Sequence, residues 1–185
     1  MFQKLLENIA AELSSQSIPY MIIGGQAVLL YGEPRLTKDI DVTLGVGNEG
    51  LELIIKSAKN LNCKLLVSDP KDFVRETMVL PTVHENSGIR IDFIFSFSAY
   101  EHQAISNAKQ VRIGEHDVSF ASLEDLIIHK IIAGRPRDLE DIRSVILKNP
   151  DFNSPYIEKW LSEFDKSLDG NFLDLFNKIQ NSLGE

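Results

Sequence analysis

A chain of 185 residues is long enough to bury a core as one domain, or as one domain with a small appendage. With 43% hydrophobic and 25% charged residues it falls outside the disordered and fibrous classes. A formal net charge of -8 rules out a general phosphate-attracting field, which disfavours tight nonspecific binding to long nucleic acid, and the lone Cys63 rules out an intrachain disulfide framework. No run of 18 apolar residues occurs, and the first residues lack the basic-then-apolar layout of a signal peptide. A soluble, cytoplasmic protein without membrane contact is expected.

Phe2, Leu5, Leu6, Ile9, Ala10 and Leu13 recur at helical spacing and predict an amphipathic first helix. Tyr20 to Ile23 reads as a short buried strand. Gly24 and Gly25 end it, and a brief helical pattern follows from Gln26 to Tyr31, with Gly32 placed as its C-terminal cap. Paired glycines between a strand and a helix N-terminus leave backbone N–H groups free to face an anion, although on their own they are more often turn punctuation. Arg35 and Lys38 lie in the connector to a second strand, Lys38 to Leu44. In that strand Asp39 and Asp41 share one face while Ile40 and Val42 share the other. Two neighbouring carboxylates repel unless something positive lies between them, and their oxygens suit a hard divalent cation such as Mg²⁺.

A third helix, Leu51 to Leu61 with Asn48 as cap, precedes a possible strand at Lys64 to Val67 and a short helix opened by Asp69-Pro70. Met78 to Val83 and the stretch from Ile89 to Phe97 form a predicted hairpin about Glu85-Asn86-Ser87-Gly88. The returning strand alternates strictly: Ile89, Ile91, Phe93, Phe95 and Phe97 make one continuous hydrophobic face, and Arg90 and Asp92 share the other. Taken alone, Asp92 reads equally well as a surface partner of Arg90. Taken with Asp39 and Asp41, it could complete a three-carboxylate rim brought together by antiparallel neighbours, a cluster that calls for metal.

The combination of a strand, Gly24-Gly25, a short helix, Arg35-x-Thr37-x-Asp39-Ile40-Asp41-Val42 and a distant Ile91-Asp92-Phe93 resembles the DNA polymerase beta-type nucleotidyltransferase superfamily. Within it the chain is most similar to the small bacterial nucleotidyltransferases of toxin-antitoxin and phage-defence systems and of antibiotic resistance. The resemblance implies that Gly24, Gly25, Arg35 and Thr37 bind a nucleoside triphosphate (NTP). It implies that Asp39, Asp41 and Asp92 form the catalytic and metal site, holding two Mg²⁺ ions, and that Asp92 helps deprotonate the acceptor hydroxyl. Many members carry serine at the position of Gly25; its absence here shifts phosphate binding onto backbone amides or weakens it.

Beyond Asp92 the chain turns helical. Ala99 to Ala108 is a predicted helix, Val111 to Ile113 and Val118 to Phe120 are strand-like, and Ser122-Leu123-Glu124-Asp125 opens a helix through Ala133 with a capping-box pattern. The segment HKIIAGRPRDLEDI, with Asp138 and Asp141 on one helical face, also resembles one found in small bacterial nucleotidyltransferases, and Lys130 is its candidate triphosphate contact; solvated capping charge weighs equally. His84, His102 and His116 show no zinc-ligand spacing. Two C-terminal helical patterns follow, with Trp160, Phe172 and Phe176 read as core, or alternatively as a docking patch.

The expected architecture is an α/β fold: a small mixed sheet with packed helices over 1–121, and a helical C-terminal region over 122–185 packed on it. The expected activity is Mg²⁺-dependent transfer of a nucleoside monophosphate from an NTP to a hydroxyl of a protein, a tRNA 3′ end or a small molecule. The contrasting expectation is a non-catalytic, antitoxin-like binding module that keeps the fold and acts by contact with a toxin-like protein partner.

Overall fold

The computed structural model describes residues 1–183. The chain divides into two compact units. One consists of Met1–Gln26 and Leu36–Ala121; the other takes Ala27–Arg35 together with the chain from Ser122 onward. The short segment Ala27–Arg35 thus clusters with the helical residues that follow Ala121.

The first unit is built on a sheet. Its helices and strands run in the order α1 (Phe2–Ser15), β1 (Tyr20–Ile23), the start of α2 (Gly24–Tyr31), β2 (Asp39–Leu44), α3 (Leu51–Asn60), β3 (Cys63–Leu65), α4 (Pro70–Thr77), β4 (Val79–His84), β5 (Arg90–Phe95), α5 (Ala99–Ser106), β6 (Lys109–Ile113) and β7 (His116–Phe120). Among the described residues the strands form one seven-stranded sheet in the order β3-β4-β5-β2-β1-β7-β6. It is mixed: β2 pairs antiparallel with β1 but parallel with β5. The expected antiparallel neighbours of the aspartate strand are thus corrected on one side, because β3, β4 and the intervening helices carry the chain over before β5 docks. On one face of the central pair, Ile40, Val42, Leu44, Ile91, Phe93 and Phe95 are fully buried. Phe97, expected to extend that face, is 75% exposed because the strand ends at Phe95 and Ser98 caps the next helix.

Local chemistry accounts for several boundaries. Asp69 accepts from the Asp72 N–H ahead of Pro70, as the dipeptide predicts. Asn48 falls in a 3-10 turn, Asn48–Gly50, and makes no side-chain cap to α3. The full capping box lies at Ser98 and Glu101, a pair the sequence reading passed over. Gly24 and Gly25 are the first two residues of α2 instead of a turn before it.

The second unit holds the rest of α2 and the helices α6 (Leu123–Ala133), α7 (Pro136–Lys148), α8 (Ser154–Leu168) and α9 (Phe172–Leu183). Gly32 has no left-handed φ; it is small because α7 crosses there, and a Cβ would lie 2.8 Å from the Ser144 Oγ and 3.0 Å from Val145. Asn149 and Lys148 donate to the carbonyls of Tyr31 and Gly32 at 2.8 and 3.1 Å, which satisfies the end of α2. At the start of α6, buried Asp125 accepts from the Tyr156 hydroxyl at 2.9 Å and ties α6 to α8. Phe176 is fully buried, whereas Trp160 and Phe172 are half-buried.

Within the sheet unit, Glu7 of α1 closes the β6–β7 hairpin. Its carboxylate accepts from the Glu115 N–H at 2.9 Å and from Lys4 at 2.9 Å, and it occupies the space a Cβ on Gly114 would fill. The backbone hydrogen bond from Glu115, followed by that from Lys4, holds the Glu7 carboxyl down at about 2. A depressed carboxyl stabilises the fold above its unfolded pKa and stops doing so as pH falls through the folded value. Urea melts should therefore show stability falling from about pH 4.5 towards pH 2, the interval between the ordinary and folded values, and Glu7→Gln should flatten that slope.

Candidate active site

The parallel register of β2 and β5 sets the geometry of the site. Asp39 lies beside Arg90 and Asp41 beside Asp92, while Ile23 of β1 flanks Asp41 on its other side. Because side chains in register on adjacent strands share a face, Asp39, Asp41, Arg90 and Asp92 all project from the side opposite the buried Ile40, Val42, Ile91 and Phe93. Burial deepens along this face from exposed Asp39, through half-buried Asp41 and Asp92, to buried Thr43. Charge at the strands' starts thus meets solvent, and apolar packing takes over towards their ends.

Each carboxylate has a local determinant. Thr37 donates its hydroxyl to the Asp39 carboxylate at 3.0 Å, which orients the first acid of the pair. Asp41 packs against Gly24: a Cβ there would lie 2.1 Å from its Oδ2, and Gly24 has φ +65°. Glycine is required twice over, by backbone conformation and by the carboxylate lying against it. Asp92 accepts from Arg90 Nε at 2.8 Å. That hydrogen bond, with the fields of Asp92, Asp39 and Asp41, raises the Arg90 guanidinium above its already high pKa, so one cation answers to all three acids.

The first residues of α2, Gly24 and Gly25, follow β1 directly, with the Asp41 carboxylate lying against Gly24. The first N–H groups of this eight-residue helix have no acceptor within the helix and lie at the positive end of its dipole. The donor chemistry suits a hard divalent cation: acidic oxygens from two adjacent strands on one face, one of them cradled against a Cβ-less residue. Among the described residues, no three or more His, Cys, Asp or Glu side chains are arranged so that they could hold a metal ion as they stand, and Arg90 occupies one oxygen of Asp92.

Arg35 and Lys130 belong to the second unit, where both are bound to acids. Lys130 is buried and donates to Asp138 at 2.6 Å and to Asp141 at 2.8 Å. Arg35 grips Asp141 with two nitrogens, at 2.8 and 3.0 Å, and Arg135 binds Asp138 at 2.6 Å. Burial alone would push the Asp138 carboxyl up, but the hydrogen bonds from Arg135 and Lys130 outweigh it and hold the group below the usual range. This arrangement gives Lys130 a structural task that its sequence context left open. Sequence reasoning placed Arg90 on the correct face but treated it as a surface partner of Asp92 only; its position opposite Asp39 follows from the strand register, which no local signal carries.

If Lys130 anchors this network, Lys130→Met leaves two buried carboxylates short of a partner and costs about 3 kcal/mol in urea melts, with or without nucleotide. Gly24→Ala should cost about 1–3 kcal/mol, from the strained φ and the displaced Asp41 together.

The sequence model of the family described as nucleotidyl transferase AbiEii toxin, type IV toxin-antitoxin system, matches residues 5–172. No curated protein matches the chain. Among solved structures, the antibiotic-resistance factor ANT(2'')-Ia superposes with a TM-score of 0.62 at 18% identity, covering 90% of this chain and 92% of that one. An antigenic nucleotidyltransferase-like protein from Paracoccidioides brasiliensis gives 0.59 at 18%, over 96% and 91%, and the lincosamide antibiotic adenylyltransferase LnuA gives 0.55 at 15%, over 77% and 94%. At such identities the likeness is one of fold. The family match covers most of the chain, and on that ground the protein belongs to the AbiEii family of nucleotidyl transferase toxins of type IV toxin-antitoxin systems.

Proposed function

We propose that the protein transfers a nucleoside monophosphate from an NTP to an acceptor hydroxyl, releasing pyrophosphate, with Mg²⁺ as cofactor. The observation that carries this reading is the register of Asp41 with Asp92, on the face that also bears Asp39 and beside the glycine start of α2. Asp39, Asp41 and Asp92 would hold two Mg²⁺ ions. Bound there, the cations would neutralise phosphate oxygens and lower the pKa of the attacking hydroxyl.

The chain's own residues supply position and proton handling. The N–H groups of Gly24 and Gly25 receive phosphate oxygens at the helix N-terminus, beside the Asp41 carboxylate. Thr37 keeps Asp39 turned into the site. Asp92 takes the acceptor's proton as its oxygen bonds to the α-phosphorus and the bond to the pyrophosphate oxygen breaks. Arg35 and Lys130, the other nucleotide contacts that the resemblance implies, are each held by carboxylates of their own unit.

Two features bear on the acceptor. The net charge of -8 disfavours a long polyanion, which places a protein or small-molecule hydroxyl ahead of a tRNA end. The fold relatives ANT(2'')-Ia and LnuA are an antibiotic-resistance factor and an antibiotic adenylyltransferase, which is compatible with a small acceptor. Membership in a toxin family favours a macromolecular acceptor in the host cell and an antitoxin as the functional partner.

The test is incubation with each α-labelled NTP, Mg²⁺ and a bacterial lysate. Label should move to a specific acceptor, and Asp92→Asn should lower the transfer at least about 100-fold while leaving the melting temperature near that of the wild type. Unlabelled acceptors with all four NTPs, together with unchanged nucleotide binding in Asp41→Asn, would favour the non-catalytic binding module.

A further inference from the structure

Arg90 occupies a position that the transfer reaction does not call for. It extends from the first residue of β5, lies in register with Asp39, and donates to Asp92, the residue two positions on. The Asp92 side chain is only 16% exposed, whereas Arg90 is 54% exposed, so the acid is held in place while the guanidinium has solvent to swing into. Arg90 is exposed at the first residue of β5, and its Nε donates to the Asp92 carboxylate. Three acids without a cation on this face would repel one another, and Arg90 is a cation that is hydrogen-bonded to one of them and in register with another.

We propose that Arg90 is a displaceable counter-cation: it neutralises the carboxylate face in the resting protein, and its pair with Asp92 opens before Asp92 can serve a divalent cation. Arg90 then sets the threshold for metal loading. A weakly exposed acid paired with a half-exposed cation makes the site reluctant to bind metal alone, and the triphosphate, whose own negative charge offers Arg90 an alternative partner, relieves that reluctance. Metal and nucleotide would accordingly load together. The proposal rests on the metal-dependent reading above and concerns the residue that opposes the metal.

The experiment is Mn²⁺ titration of the nucleotide-free full chain, followed by electron paramagnetic resonance and calorimetry, on wild type, Arg90→Met, Arg90→Lys and Lys38→Met. Arg90→Met should bind Mn²⁺ about fivefold more tightly than wild type, the scale of a lost partly exposed ion pair. Lys38→Met, which removes an exposed charge next to Asp39 in sequence, reports the general field and should change affinity by less than about twofold. In an Asp92→Asn background, Arg90→Met should lose its excess effect and match Lys38→Met, because the pair it breaks is no longer there. Arg90→Lys, which keeps a charge on a flexible stem, should fall between wild type and Arg90→Met. Equal affinities for wild type and Arg90→Met, or an Arg90→Met effect that survives Asp92→Asn, would overturn the counter-cation role and leave the metal site standing. Absence of Mn²⁺ binding in every variant, with and without NTP, would overturn the metal-dependent reading itself and the counter-cation role with it.

Discussion

Like-charge crowding on one face of the central strands is the constraint that the rest of the sheet unit accommodates. Asp39 and Asp41 are neighbours along β2 because strand side chains repeat every two residues, and Asp92 joins them because β5 runs parallel to β2 with Asp41 and Asp92 in register. Such a face is tolerable only with compensation. Arg90 supplies a cation, the start of α2 supplies N–H groups and a positive dipole end, and Gly24 yields the volume that Asp41 fills. The opposite face repays the crowding with a core of fully buried Ile40, Val42, Leu44, Ile91, Phe93 and Phe95, held in the same register. A one-residue slip of β5 would bury the acids and expose the core together, so the register is strongly specified.

The second unit meets a different form of the same problem. Asp138 and Asp141 are buried, and their charges are answered by Lys130, Arg35 and Arg135 in a network where every acid has at least two basic partners. Buried ion pairs seldom add net stability over apolar packing, yet removing one partner is costly. The network therefore acts as a specificity device: it pins the segment carrying Arg35 to α6 and α7, a role that packing of aliphatic side chains could not perform with the same directionality.

Membership in the AbiEii family and the crowded acid face rest on different evidence. The family match rests on the whole length from residue 5 to 172, whereas the acids, glycines and Arg90 are arguments about one face of one sheet. The fold likeness to an antibiotic-resistance factor and to a lincosamide antibiotic adenylyltransferase speaks to architecture, because identities of 15–18% preserve backbone topology far better than they preserve a binding surface.

Much of this protein was legible in the order of its residues. Alternation over Ile89–Phe95 placed Asp92 and Arg90 on one face and the aromatics on the other, Asp39-Ile40-Asp41-Val42 did the same for β2, and Asp69-Pro70, Gly24-Gly25 and the helical spacings located their elements within a residue or two. These are local properties, set by backbone periodicity and by the few residues that break it. What the tertiary structure decided is relational. The parallel pairing of β2 with β5, the alignment of Asp41 with Asp92, the lodging of Asp41 against Gly24 and the engagement of Lys130 by Asp138 and Asp141 all join residues far apart in sequence. No local pattern encodes them, because strand order and helix docking are chosen by the burial of the whole core and not by any single segment.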